Sequence, residues 1–232
     1  MNIALLGYGK MGKTIEKLAI EKGDSIVAIV TSSKDLSKLE EADVAIDFSV
    51  PNAAVTNITA CLEQGIPVVS GTTGWLEDYE KVLNLCQSRN GSFIYASNFS
   101  IGVNLFFELN KKLAEMMAKH KSYKIEIEEI HHTQKLDAPS GTAISLAKDI
   151  IEKTDYKNWK LDTASADEIA IKALREEDVK GTHTVSYTSE VDSISIKHEA
   201  HSREGFALGA LLAAAWLKDK KGIYTMKDVL NL

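Results

Sequence analysis

The chain is poor in cysteine, lacks any long apolar run and carries no basic surplus. Only Cys61 and Cys86 occur among 232 residues, and both fall in stretches that read as helix. They have no metal-ligand spacing and form no disulfide framework, so two reduced, mostly buried thiols in a cytoplasmic protein are expected. The longest late apolar stretch, FALGALLAAAWL, covers 206–217. That is short of the roughly 20 residues a bilayer-spanning helix needs. The opening MNIALLGYGKMGK has no basic segment before its apolar run and no cleavage site after it, which argues against a signal peptide. The formal net charge of −6 gives no general attraction to phosphate backbones. Neither nucleic acid nor membrane is expected as a partner, while a local basic pocket for a small anion stays open. No internal repeat or low-complexity linker is found.

What is present is an ordinary globular composition, long enough for one large domain or two small ones. In the first hundred residues, short strand signals without polar alternation (NIALLG at 2–7, SIVAIV at 25–30, DVAIDF at 43–48, IPVVS at 66–70, SFIYASN at 92–98) alternate with helical stretches at 10–23, 52–65 and 76–90. Unalternating apolar strands separated by helices imply a parallel sheet covered on both faces. Beyond residue 99 the pattern changes. A long amphipathic helix is expected at 102–120, an alternating strand at 123–130, a helix at 142–153, and alternating strands at 182–187 and 192–200. The polar stretch 163–181 reads as a loop with a short helix, and the chain ends in an apolar helix and a tail. The fold class is α/β: an N-terminal Rossmann dinucleotide-binding domain at 1–100, with 204–232 packing back on it, and a C-terminal α+β domain for substrate and oligomerisation at 101–203.

GYGKMG directly follows the first strand and opens the first helix, with glycines at 7, 9 and 12. In that context Gly7 allows the tight turn, Gly9 lets backbone approach a pyrophosphate, and Gly12 lets helix and strand pack closely. The helix start then offers free N–H groups and partial positive charge to the phosphates. An acidic residue commonly ends the second strand of such a unit to hold the ribose hydroxyls. Here IVTSSKDL at 29–36 has Thr31, Ser32, Ser33 and Lys34 in that region. Hydroxyls and an ammonium suit a 2′-phosphate, so the cofactor reading leans to NADPH, with NADH use open. SGTTG at 70–74 and SNFSIG at 97–102 lie at carboxyl ends of expected strands, where ligands bind in such sheets. Phe99 is a candidate apolar wall for a nicotinamide.

HHTQKLDAPSGTA at 131–143 concentrates chemistry. Pro139 disfavours helix at Ala138, Ser140 can cap the helix that follows, and Gly141 and Thr142 present uncovered N–H groups suited to a carboxylate. His131, His132 and Lys135 come off the end of an alternating strand, so one imidazole should face the pocket better than the other. A lysine beside a bound anion and a histidine titrating near neutrality can supply binding charge and a proton. No metal is expected, since no third ligand at suitable spacing is evident.

With EIEEIHHTQKLDAPSGTA at 126–143, and GYGKMG, VAIDFS, SGTTG and SNFSIGVN in order, the chain resembles the dihydrodipicolinate (4-hydroxy-tetrahydrodipicolinate) reductase family of the lysine and diaminopimelate pathway. The resemblance covers nearly the whole chain. It implies His131 as general acid/base and Lys135 as proton donor facing substrate. His132, Ser140, Gly141 and Thr142 then fall at carboxylate-binding positions. The implied cofactor contacts are Gly7, Tyr8, Gly9, Lys10, Met11, Gly12, Ser32, Lys34, Gly71, Thr72, Thr73, Ser97, Asn98 and Phe99. It also implies hydride transfer from NADH or NADPH to a small cyclic, unsaturated dicarboxylate, and a homotetramer joined through the second domain's sheet. One departure falls at REEDVKGTHT, 175–184, where many relatives have R-x-G-x-x-x-G-x-H: Gly181 and His183 remain but Glu177 replaces the first glycine. Two other readings compete, a non-catalytic NAD(P)-binding redox sensor and a different amino-acid dehydrogenase acting, for example, on aspartate. The density of the HHTQKLDAPSGT motif argues against both.

Overall fold

The opening apolar run forms β1 (Asn2–Leu6), buried because helices cover both faces of its sheet. Along the chain follow α1 (Lys10–Glu21), β2 (Ser25–Val30), β3 (Val44–Asp47), α2 (Pro51–Glu63), β4 (Val68–Ser70), α3 (Tyr79–Ser88) and β5 (Ser92–Tyr95). Next come α4 (Ile101–Met117), β6 (Lys124–His131), α5 (Gly141–Lys153), β7 (Asn158–Leu161), β8 (Glu168–Arg175), β9 (Thr182–Thr188) and β10 (Ser193–Glu199). The chain closes with α6 (Glu204–Leu217), β11 (Gly222–Tyr224) and α7 (Met226–Leu230). This computed structural model describes residues 1–32, 35–36 and 39–232. Ser33 and Lys34, two of the residues behind the 2′-phosphate reading, lie outside the described residues.

Contacts divide the chain into Met1–Ile101 with Glu204–Leu232, and Gly102–Arg203. The first unit holds a six-stranded sheet in the order β11-β5-β4-β3-β1-β2, with every pairing parallel. On one face, Ile15, Leu18 and Ala19 of α1 pack with Ala207, Ala210, Leu211 and Ala214 of α6. α6 is apolar nearly all round, as a helix sunk in a core must be. On the other face, α2 and α3 bury Ala54, Ile58, Leu62 and Val82 against β1, β3, β4 and β5. The expected tail is ordered structure: Ile223 and Tyr224 pair with Phe93 and Ile94 of β5, and Thr225 caps α7 with Asp228 in a capping box.

The second unit holds a five-stranded mixed sheet in the order β10-β9-β6-β8-β7. β6 pairs antiparallel with β9 and parallel with β8. The loop expected at 163–181 is in large part a strand, β8, running between β6 and β7. Its alternation is legible once its neighbours are known. Ile169 and Ile171 point into the core with Ile125 and Ile127 of β6, Val185 and Tyr187 of β9, and the apolar faces of α4 and α5. The intervening Glu168, Lys172 and Leu174 gave the segment its mixed look. Continued towards the carboxyl end of β6, the same inward phase carries Glu129 and His131. Opposite them in register stand His183 of β9 and Arg175 of β8, and His198 of β10 faces His183. The sheet face is thus apolar over most of its length and ionisable at one end.

Candidate active site

In the first unit, the β1–α1 turn has the geometry its glycines call for. Gly7 sits at φ +92°, where side chains are strained, and a Cβ there would lie 2.4 Å from the Phe48 carbonyl oxygen. A Cβ on Gly12 would lie 2.5 Å from the Gly7 oxygen, so helix and turn are in direct backbone contact. Gly9 meets nothing within 4 Å and opens onto a cleft of about 510 Å³ lined by Gly7, Tyr8, Thr31, Ser32, Phe48 and Asn52, among others. No side chain caps the first turn of α1, so its N–H groups face that space as an anion would need. A second hollow of about 440 Å³ is lined by Gly9, Lys10, Met11, Gly71, Thr72 and Thr73 together with Phe48 and Ser49. A dinucleotide fits this cradle on the openness of Gly9 and the uncapped helix start.

A buried carboxylate organises the floor of these hollows. Asp47, at the end of β3, accepts from Ser49 Oγ at 2.6 Å and Ser70 Oγ at 2.8 Å. Burial pushes its carboxyl above the usual range, against the hydrogen bonds from Ser49, Ser70, Thr72 and Asn57. Ser49 N donates to Thr72 Oγ1 at 2.8 Å, and Gly71 N to the Asp47 carbonyl at 2.8 Å. Thr72 thus acts within the wall. Phe99 is buried and packs edge-on to Phe48 at 5.9 Å; Phe48, which the motif search passed over, is the ring at the cleft surface. Asn98 spends its Oδ1 on Ser100 N at 2.8 Å, and Ser97 is exposed.

A carboxylate does stand near the end of β2, five residues beyond it. Asp35 Oδ2 accepts from Ser32 Oγ at 3.1 Å, Ser32 N at 3.2 Å and Thr31 N at 3.3 Å. It occupies donors of Thr31 and Ser32, two of the residues that were expected to receive a 2′-phosphate. The sequence reading missed it because the acid follows the strand end rather than terminating it.

In the second unit, Glu129 is fully buried. Both its oxygens accept from Ser140 N at 3.0 Å. Arg175 Nη2 lies 3.3 Å from Oε1, while His131 Nε2 and His183 Nε2 lie 3.5 and 3.7 Å from Oε2. The two imidazole Nε2 atoms are 3.3 Å apart, and Ser140 Oγ is 3.2 Å from that of His183. Burial alone would raise the Glu129 carboxyl, but the bonds from His131, His183 and Ser140 outweigh it and hold the group well below the usual carboxylate range. Burial holds His183 below the usual imidazole range, against the pull of Glu129.

Glu129 and His183 join His131 in a set whose ligand-type atoms lie within 4.8 Å of one another. A third group therefore does stand beside the histidines, contrary to what chain spacing suggested. Its oxygens are already engaged by Ser140 N–H and Arg175, so hydrogen bonding accounts for the cluster without a cation.

Lys135 Nζ pairs with Asp137 at 2.7 and 2.8 Å. Arg175 holds this loop from below through the carbonyls of Lys135 at 3.2 Å and Asp137 at 2.6 Å. His132 lies just beyond the strand, its Nδ1 buried and without a hydrogen-bond partner among the described residues. Burial, then the nearby charges of Arg203, His131, Lys135 and Lys180, push its imidazole below the usual range. This end of the unit is therefore electropositive, as a dianionic ligand requires. Ser140 is the helix cap its position suggested. Its N–H donates to Glu129, while its Oγ accepts from Ala143 N at 3.2 Å and lies beside His183 Nε2. It caps α5 from inside and leaves Gly141 and Thr142 as the open N–H groups of the first turn.

Glu177 needs no glycine, because the left-handed residues of the 176–181 loop are Asp178 at φ +63° and Gly181 at φ +144°, and aspartate tolerates that region. A Cβ on Gly181 would lie 3.2 Å from His131 Cε1. Gly181→Ala is expected to displace the imidazole and lower kcat by about tenfold with little change in cofactor affinity, read by steady-state kinetics and a fluorescence titration with NADH.

A parallel sheet with a glycine cradle, and a histidine–lysine cluster beside the open first-turn N–H groups of Gly141 and Thr142, define a dinucleotide-dependent oxidoreductase. Residues 1–99 match the family model for the dihydrodipicolinate reductase N-terminus and residues 102–230 that for its C-terminus. The chain belongs to the dihydrodipicolinate reductase family. It is 59% identical to the 4-hydroxy-tetrahydrodipicolinate reductase of Christiangramia forsetii, over 100% of this chain and 98% of that protein. It is 36% identical to the protein of that name from Methanosarcina acetivorans, over 99% and 89%. Among solved structures, a dipicolinate-bound dihydrodipicolinate reductase from Paenisporosarcina superposes with a TM-score of 0.78 over 97% of each chain, at 24% identity.

Proposed function

We propose that this chain reduces 4-hydroxy-tetrahydrodipicolinate to tetrahydrodipicolinate with NADH or NADPH, in lysine and diaminopimelate biosynthesis. The observation that carries the reading is the meeting of His131, His132 and Lys135 with the open first turn of α5 at one end of the second unit's sheet. The first unit is the dinucleotide-binding domain and the second the substrate domain. The nicotinamide, when bound, supplies a hydride. The turn from Gly7 to Gly12 and the N–H groups of α1 hold its pyrophosphate. In the second unit, His132, Lys135 and the N–H groups of Gly141 and Thr142 hold the two carboxylates. His131 acts as the general acid/base, and Lys135, released from Asp137 by the substrate's charge, binds substrate and serves as proton donor.

Asp35 bears on the cofactor. The hydroxyls of Thr31 and Ser32 with Lys34 favour a 2′-phosphate, but the Asp35 carboxylate already sits on the first two. Both cofactors are used, with NADH favoured. Asp35→Ser should raise kcat/KM for NADPH relative to NADH by about tenfold, the effect of removing one like charge from a phosphate site. An unchanged ratio in side-by-side assays would remove Asp35 from cofactor choice. The protein acts in the cytoplasm as a homotetramer, for which light scattering gives the mass. Among the described residues no helix is long and apolar enough to cross a membrane.

The test of the activity is a coupled assay. Condensation of pyruvate with aspartate semialdehyde generates the substrate in place, and absorbance loss is followed with each cofactor. Turnover is expected with both. Cofactor binding without turnover would favour the sensor reading instead.

A further inference from the structure

We infer that Glu129 is a positioning residue for the reduction: one buried carboxylate that sets both the imidazole of His131 and the substrate-carboxylate turn at Ser140. The inference rests on the reading of His131 as the general acid/base.

The sequence makes Glu129 conspicuous once the strand's phase is known. In β6 the inward positions are Ile125, Ile127, Glu129 and His131, so a carboxylate replaces the next apolar side chain of a buried row. Burying a carboxylate is costly unless its lone pairs are met. Here they are met from three directions. Ser140 N donates to both oxygens at 3.0 Å, Arg175 of β8 approaches Oε1, and the two histidines converge on Oε2.

This geometry also orders the protons. Ser140 Oγ accepts from Ala143 N and stands 3.2 Å from His183 Nε2. His183 Nε2 also faces the Glu129 carboxylate and bonds to it, so the ring carries a proton there. An Nε2–H on His131 points the same way, with Glu129 Oε2 3.5 Å off as its inward acceptor. That fixes the ring's tautomer and rotation, as an orienting carboxylate does for a catalytic histidine. It leaves Nδ1 of His131 as the atom that exchanges a proton with substrate.

The groups facing this cluster are Arg175 from β8, His183 from β9, His198 beside His183 on β10, and Lys135 and Asp137 from the loop. Two cations and one exposed carboxylate surround it, so Glu129 is the buried negative charge opposite His131. Its bond to Ser140 N couples the acid/base histidine to the start of α5, where Gly141 and Thr142 meet the substrate. Binding and proton transfer would share one anchor.

The test uses the full-length enzyme in the coupled assay, with Glu129→Gln, Glu129→Asp, His131→Gln and the double variant Glu129→Gln/His131→Gln. Glutamine keeps an oxygen for Ser140 N but removes the charge. It should lower kcat by about tenfold or more while KM stays within about threefold. The alkaline limb of the kcat profile should move to lower pH, because the protonated imidazole loses its counter-charge. Aspartate restores the charge at shorter reach and should recover part of the rate. The double variant should be no slower than His131→Gln alone, since Glu129 acts through that ring. NADH affinity and melting temperature report on folding, and Glu129→Asp carries the test if the glutamine variant fails to fold. Wild-type kcat in Glu129→Gln, or losses that add in the double variant with no change of pH profile, would overturn the inference. Full activity in His131→Gln would instead sink the reading of His131 itself.

Discussion

Replacing His131 with glutamine should cut turnover by about 100-fold or more while NADH still binds, and Lys135→Ala should do the same. Removing a positioned acid–base group typically costs that much. The two variants should differ in KM. His131 is largely buried and engaged inward with Glu129 and His183, so its loss should fall on kcat. Lys135 is a half-buried ammonium on a loop, held by Asp137, and adds binding charge as well as a proton, so its loss should also raise KM. Steady-state kinetics in the coupled assay, with NADH affinity measured by fluorescence, separate these outcomes. Unchanged rates in both variants would remove the proposed proton pathway.

Gly7→Ala should destabilise the protein by about 2–4 kcal/mol and weaken NADH binding at least tenfold, the combined effect of backbone strain and close contact. Two causes act together. Gly7 is at φ +92°, a region that side chains rarely enter, and the new Cβ would lie 2.4 Å from the Phe48 oxygen and 2.7 Å from Ser49 Cα. Both neighbours are backbone at the end of β3, fixed by Phe48 N donating to the Leu6 carbonyl at 2.9 Å, so neither can swing aside. Gly9→Ala is the control. Its Cβ would meet nothing within 4 Å, so stability should change by less than about 0.5 kcal/mol, while cofactor affinity falls because the methyl enters the space left for the pyrophosphate. Urea unfolding and NADH titration of both variants read the difference. Equal stability losses would show that the turn is a packing feature and not a cradle.

Much of this was legible from the chain alone, and for local reasons. Apolar runs ending in glycine gave the parallel strands and their helices, because a strand covered on both faces has no polar phase to hide. GYGKMG gave its own turn, since three glycines spaced for a tight bend, a close approach and a helix contact have few other uses. HHTQKLDAPSGTA gave a strand end, a loop and a capped helix start, each set by its neighbours within a few residues.

Other features were hidden because their meaning lies across the sheet. The 163–181 stretch looked polar and irregular, yet β8 is a strand whose phase only its partners β6 and β7 define. Glu129 looked like one of several carboxylates in EIEEI. Only the buried row of Ile125 and Ile127, with Ser140, Arg175 and His183 closing on it, marks it as special. Asp35 needed only a local turn to reach Ser32, but a search for an acid at the strand end passed it by. The sequence by itself determined the sheet class of the first unit and the glycine turn, and it marked the candidate reacting side chains, because periodicity, turn chemistry and capping act over a few residues. The tertiary structure alone decided which charges surround His131 and which strands complete each sheet, because those pairings join residues far apart in the chain, 52 positions for His131 and His183 and 130 for Ser92 and Gly222, and strand register rather than spacing brings them together.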